Sequence, residues 1–357
     1  MKILIMKFRN IGDVLLITPL LSNLKLAYPD AQIDVALNKG CEEMITYNPN
    51  INEIIIYDRA YIKSKKGLFR IFAEISFAKK IRNKKYDMII NLTSGDRGAQ
   101  LALASGAKIK IGYKNEKSKF LSSVFDYNLP PQELRHTIEM NLDVLRVLDK
   151  QIKHKKVEIF WKEEDEKKVE NLLVCNDFIH IHPVSRWLFK CLDDKIVAKI
   201  IDFCKNELHK EVVLTSAPIK QELDKISSIL NYCETTPINL AGKLSLKQTA
   251  VLNKKAGFFI GVDTAIMHIS AANDIPVLAF FGPSGADHWG PWDNDLNEST
   301  YITRRGLRSM GKHRVIQKDL DCVPCGKDGC NGTKISDCLM DMDMQIIKQE
   351  INKIMEK

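Results

Sequence analysis

The stretch from Gly257 to Trp292, GFFIGVDTAIMHISAANDIPVLAFFGPSGADHWGPW, packs a strand, a short helix and a second strand into one run with polar groups only at the joints. GFFIGV is apolar, β-branched and aromatic, and too short for a helix, so it reads as a buried strand of a parallel sheet. AIMHISAAN has helical composition. Asp263 or Thr264 is placed to cap its first turn, and the small pair Ala271 and Ala272 suits close contact with a sheet. IPVLAFFG is the next strand. In an open α/β sheet, ligands sit beyond the carboxyl ends of the strands, where helix N-terminal amides favour anions. Asp263, Thr264 and Ala265 occupy such an end, and His268, four residues after Thr264, lies on the same helix face.

The alternation extends outward from there. FIHIHP, EVVLTS and PINLAG read as strands, separated by the helical patterns DDKIVAKIIDFCKNEL, IKQELDKISSIL and LSLKQTAVLNKKA, and the opening stretch is expected to complete that sheet. In the first half, KILIMKF, AQIDVALN, EIIIYD, YDMIINLT and KIKIGY read as strands, and VLLITPLLSNLKLAY as a helix that restarts or kinks near Pro19. The highly charged run KHKKVEIFWKEEDEKK marks a boundary between two such arrays. A chain of 357 residues exceeds one typical core. The expected architecture is therefore α/β, with two Rossmann-like domains facing each other across a cleft. The divisions are 1–155, 156–340 and a C-terminal helix, 341–357, expected to pack across the cleft.

Composition narrows the function. A hydrophobic share of 45% and a charged share of 27% are those of an ordinary globular protein. No apolar run approaches the roughly 20 residues needed to span a bilayer, and the N-terminus lacks a signal-peptide layout, so a cytosolic setting is expected. The net charge of +8, from 53 Lys and Arg against 45 Asp and Glu, favours acidic partners: a nucleotide, a phosphorylated glycan, nucleic acid or anionic lipid. The basic segment Lys63 to Lys85 has apolar residues at helical spacing. It reads either as a surface helix with a solvated cationic face or as a docking face for an anionic membrane. No nucleic-acid recognition motif accompanies it. No two glycines are spaced G-x-G, which disfavours a nicotinamide dehydrogenase, and the phosphate loop, nucleophile elbow and zinc helix are likewise missing from the sequence.

The remaining candidates sit at strand-to-helix joints. Asp13, in RNIGD, is either an anion favoured by the helix dipole or a general base poised in the crevice. Arg97, in SGDRG, either meets an anionic acceptor or faces solvent from a turn. His136 and Glu139 open an amphipathic helix, and His136 joins Arg97 as an acceptor-binding candidate. Ser185, Arg186 and Lys190 follow a strand of the second half, where charge-assisted hydrogen bonds can hold a diphosphate. Ser216 and Glu222 occupy the next joint. Of nine cysteines, Cys322, Cys325, Cys330 and Cys338 cluster among turn formers. Structural zinc, disulfides and reduced thiols are all open readings for them, the cytosolic setting disfavouring disulfides.

Taken in order, KILIMKFRNIGDVLLITPLL, HTIEMNLDVLR, HPVSRWLFKC, GVDTAIMHISAANDIPVLAFFGPS and CVPCGKDGC resemble the glycosyltransferase family 9 heptosyltransferases, most of all their heptosyltransferase III branch. The resemblance covers nearly the whole chain. It implies a GT-B fold whose N-terminal domain binds the acceptor and whose C-terminal domain binds the nucleotide sugar. It also implies ADP-heptose as donor, a phosphorylated lipid A–core oligosaccharide as acceptor, no metal requirement, and a cytoplasmic enzyme peripheral to the inner membrane. By position, the family's catalytic Asp matches Asp13, its diphosphate Lys matches Lys190, and its acid in the second loop matches Glu222. Its D-T-G-x-x-H matches Asp263, Thr264, Ala265 and His268, with Ala265 replacing the usual Gly. Leu192 stands where many members have Trp. Three rival readings are a family 9 transferase using another nucleotide sugar, a hydrolysing epimerase that needs no acceptor, and a silent nucleotide-sugar binder.

Overall fold

The structure, a computed structural model, describes residues 1–115, 118–132 and 135–356. The chain divides into two compact units, Met1–Lys156 and a second beginning at Val157. In the first, strands β1 (Lys2–Lys7), β2 (Gln32–Asn38), β3 (Glu53–Tyr57), β4 (Met88–Asn91), β5 (Ile109–Tyr113) and β6 (Tyr127–Leu129) form one sheet in the order β3-β2-β1-β4-β5-β6. Every pairing is parallel. β1 lies at its centre and is buried from Ile3 onward, which is why KILIMK reads as an unbroken apolar run. The helices are α1 (Ile11–Leu15), α2 (Thr18–Ala27), α3 (Arg59–Ser64), α4 (Gly67–Asn83), α5 (Asp96–Ser105), α6 (Lys119–Ser122) and α7 (Thr137–Val147). The expected restart near Pro19 is real: α1 ends at Leu15 and α2 begins at Thr18 with proline in its first turn, where the missing N–H costs nothing.

The second unit contains β7 (Phe178–His182), β8 (Glu211–Leu214), β9 (Ile238–Asn239), β10 (Phe258–Val262), β11 (Val277–Phe281), β12 (Arg308–Met310) and β13 (His313–Gln317), in the order β12-β13-β11-β10-β7-β8-β9. Its helices are α8 (Glu163–Glu170), α9 (Asp194–Asn206), α10 (Lys220–Leu230), α11 (Leu246–Lys254), α12 (Ala265–Ala272), α13 (Ala286–Trp289) and α14 (Met344–Met355). The Gly257–Trp292 stretch does not complete this sheet, as the sequence suggested. β10 is its central strand, and a hairpin closed by Gly311 and Lys312 adds β13 parallel to β11 and β12 antiparallel at the edge. Arginines and histidine interrupt RSMGKHRVIQ, so no apolar run announces these strands. Helix α14 packs on α9 and β13, and places Ile347, Ile351 and Ile354 in the core of this unit.

Candidate functional site

Because β7, β8, β10 and β11 run parallel, their carboxyl ends share one edge of the second sheet. The loops leaving that edge bring three groups together. Lys190 ends a short turn of 3₁₀ helix, Leu188–Lys190, and its Nζ lies 2.5 Å from Asp263 Oδ2. Ser284, just past β11, donates its hydroxyl to the same oxygen at 2.6 Å. Asp263 is only 6% exposed. Burial alone would raise its pKa, but the charge and hydrogen bond of Lys190, the Ser284 hydroxyl and nearby His268 outweigh it and hold the carboxyl below its ordinary value. The acid is thus ionised and anchored, and it fixes the lysine ammonium at the mouth of α12.

Thr264 stands at the N-cap of α12, yet no side chain caps the helix. The sequence offered Asp263 or Thr264 for that role. Instead, Lys190 and Ser284 engage Oδ2 of Asp263, and the buried Thr264 hydroxyl has no hydrogen-bond partner among the described residues. Ala265 is the first helical residue and His268 is buried on the following turn. An N-terminus with a lysine beside it and a buried hydroxyl left over from capping is equipped to bind an oxyanion.

Around this cluster, Ser185 accepts the Trp187 amide at 3.2 Å, and exposed Arg186 lies 4.8 Å over the Trp187 ring. Ser216 is buried and donates to Ala217 O at 3.1 Å. Glu222, on α10, accepts the Ala217 amide at 2.8 Å. Burial raises its pKa, and that amide bond and the charge of Arg186 pull it partly back. Ser284 escaped the sequence reading, although the Gly-Pro-Ser after β11 marks a strand-end turn. So did the buried polar cluster joining β7 to the end of β8, where His180 and His182 share the Thr215 hydroxyl at 2.7 and 2.8 Å. Burial drives both imidazoles below their usual pKa, His182 to about 3.

The cysteine-rich tail supports the same loop. Gly326, which follows Cys325, donates its amide to Pro283 O at 2.8 Å, and Gln317 holds the carbonyls of Gly282 and Ser284 at 2.7 and 2.9 Å. All four tail thiols are free; Cys322 and Cys325 are exposed, whereas Cys338 is buried. Burial, followed by the neighbouring Cys330, Cys325 and Cys322, pushes the Cys338 thiol up to about 11. Among the described residues no three His, Cys, Asp or Glu side chains gather as metal ligands.

In the first unit, Asp13 lies in the first turn of α1, where its Oδ2 accepts the Asn10 amide at 3.3 Å. Lys7, at the end of β1, was passed over in the sequence although a lysine ending an apolar strand is itself a signal. Its Nζ donates to Asn141 Oδ1 at 3.1 Å, and burial lowers its pKa to about 8, with Asp13 opposing that shift. Arg97 lies on α5, 4.7 Å over the Tyr57 ring, with Glu74 at 3.9 Å. His136 is 1% exposed and caps α7 by accepting the Ile138 amide at 3.3 Å.

The family model described as Glycosyltransferase family 9 (heptosyltransferase) matches residues 75–318. Lipopolysaccharide heptosyltransferase 3 of Escherichia coli is 34% identical over 296 residues, covering 80% of this chain and 84% of the relative. Among solved structures, the glycosyl transferase family 9 protein of Veillonella parvula superposes with a TM-score of 0.76 at 22% identity, covering 100% of this chain and 97% of that one. E. coli ADP-heptose LPS heptosyltransferase II gives a TM-score of 0.73 at 21% identity, over 99% and 98% of the two chains.

Proposed function

The chain belongs to glycosyltransferase family 9 and has the GT-B fold, and from that premise we propose that it transfers heptose from ADP-heptose to a hydroxyl of a lipopolysaccharide inner core. The observation that carries the donor half is the cluster of Lys190, Asp263 and Ser284 at the N-terminus of α12. In this reading Lys190, Thr264 and the first-turn amides at Ala265 receive the diphosphate. Ser185, Arg186 and His268 flank it, and Ser216 and Glu222 take the nucleoside. Residues 156–340 then form the donor domain and 1–155 the acceptor domain.

Transfer proceeds with inversion. The Asp13 carboxylate takes the proton of the acceptor hydroxyl as that oxygen bonds to the anomeric carbon. The bond from that carbon to the diphosphate breaks, and ADP departs with the electron pair. Lys190 and the α12 amides stabilise the charge that develops on it, in place of a metal. Arg97 belongs to the acceptor surface, and His136 holds the start of α7. A lipid-linked acceptor also places the enzyme at the cytoplasmic face of the inner membrane, as a peripheral protein. The test offers a panel of ADP-, UDP- and GDP-sugars with deacylated core oligosaccharides, and the products are weighed by mass spectrometry. A mass increment of one heptose with ADP-heptose is expected; turnover confined to UDP- or GDP-sugars would overturn the donor assignment.

A further inference from the structure

Helix α4 carries two apolar stripes, and only one of them is used by the fold. Ala73, Phe77, Ala78 and Ile81 face the core of the first unit. Leu68, Ile71, Phe72 and Ile75 repeat at i, i+3, i+4 and i+7 on the opposite side, with Phe69 beside them. All five are exposed: Leu68 is 69% exposed, Phe69 75% and Phe72 62%. A helix apolar on both sides is ordinarily buried, and a contiguous exposed patch of this kind marks an interaction surface.

The charges decide the partner. From Arg59 to Lys85 there are ten Lys and Arg and one acid, Glu74. Glu74 is turned inward, accepting the Tyr57 hydroxyl at 2.8 Å and facing Arg97. The outer stripe continues past Ile75 as exposed Lys79, followed by Arg82, which donates to Ala104 O at 3.1 Å, and exposed Lys63 and Lys66 stand at its other end. A second copy of the chain would meet this face with like charge. A helix with exposed phenylalanines between two cationic ends is suited to lie in the plane of an anionic bilayer, rings among the acyl chains and ammonium groups at the phosphates. With 17 residues it is about 25 Å long, and among the described residues no helix is long and apolar enough to cross a membrane.

We propose that the outer face of α4, flanked by α3, is the surface by which this protein docks on anionic phospholipid. The proposal deepens the reading of a lipid-linked acceptor, and it is tested without that acceptor. The full chain is sedimented with vesicles of phosphatidylcholine alone or mixed with phosphatidylglycerol. Binding is expected to the mixed vesicles and to fall with salt. Phe69→Ser with Phe72→Ser should weaken it by at least about tenfold, and Lys66→Glu with Lys79→Glu by roughly twentyfold or more. Both double variants should keep their melting temperature and their turnover on the deacylated acceptor. Binding that ignores phosphatidylglycerol or survives both double variants would overturn the assignment. So would a dimer broken by the Phe variants, or an equal preference for oligonucleotides over vesicles. Failure of turnover in the unaltered protein would instead strike the proposed reaction and leave the vesicle result standing.

Discussion

Lys7 is a cation withdrawn almost wholly from water, 4% exposed, in electrostatic contact with the carboxylate proposed as the base. The unfolded chain holds this proton up to about pH 10.5, the folded chain only to about 8. Between those values the unfolded state binds more protons, so stability rises with pH there; below pH 8 the buried charge costs on the order of 3 kcal/mol. Lys7→Met should therefore raise the melting temperature at pH 7, with the advantage shrinking as pH climbs from 8 towards 10.5. The same lysine, charged at neutral pH, places a positive charge in electrostatic contact with the Asp13 carboxylate. Its deprotonation should appear as a basic limb in kcat/KM near pH 8, and the variant should be slower and lack that limb. An unchanged melting curve together with an unchanged pH profile would remove Lys7 from both roles.

At the scale of elements, the turn after β11 shows how a distant segment sets a site. A Cβ at Gly282 would sit 2.6 Å from Leu339 Cδ1 and 3.4 Å from Cys338 Sγ, so the tail is packed against this turn with no room for a methyl group. Gly282→Ala should cost about 1–3 kcal/mol by overpacking. It should also weaken ADP binding by displacing Ser284 from Asp263, read by calorimetric melting and nucleotide titration; undiminished nucleotide affinity would uncouple the tail from the site. This support was hidden from the sequence for a physical reason. Periodicity reports which face of an element is apolar, and turn residues report where it ends, which sufficed to find β10, α12 and β11. It does not report partners: Lys190 and Asp263 are separated by 73 positions, and nothing local in either loop encodes their contact. The helical spacing of α4 was visible, yet a sequence cannot say which of two apolar stripes the core takes. The β12–β13 hairpin was missed because arginines, a lysine and a histidine break its apolar pattern, although Arg308 and His313 are buried there, Arg308 held by the Gln317 side chain and the carbonyls of Thr303 and Arg304.

For the whole molecule, what matters is that each unit owns its own sheet, parallel throughout in the first and parallel except for the edge strand β12 in the second, and its own core. The cluster proposed to bind the donor is assembled entirely from loops of the second unit, while Asp13 is placed by the first turn of α1 in the first. Binding and proton transfer should therefore separate on mutation. Asp13→Asn keeps the shape of the acid and its bond from the Asn10 amide, but removes the basic carboxylate. It should slow transfer by about 10² to 10⁴-fold, the usual share of general-base catalysis, and leave the affinity for ADP within about twofold, since no group that receives the nucleotide has changed. Lys190→Ala should do the reverse in titration, weakening ADP by roughly 10- to 100-fold through loss of a charge-assisted contact. It also leaves Asp263 buried with only Ser284 beside its Oδ2, so some stability should be lost as well. Titration calorimetry with ADP, set against initial rates on the deacylated acceptor, reads both halves. Equal loss of nucleotide affinity in the two variants would break the division of labour between the units, and with it the assignment of Asp13 as base.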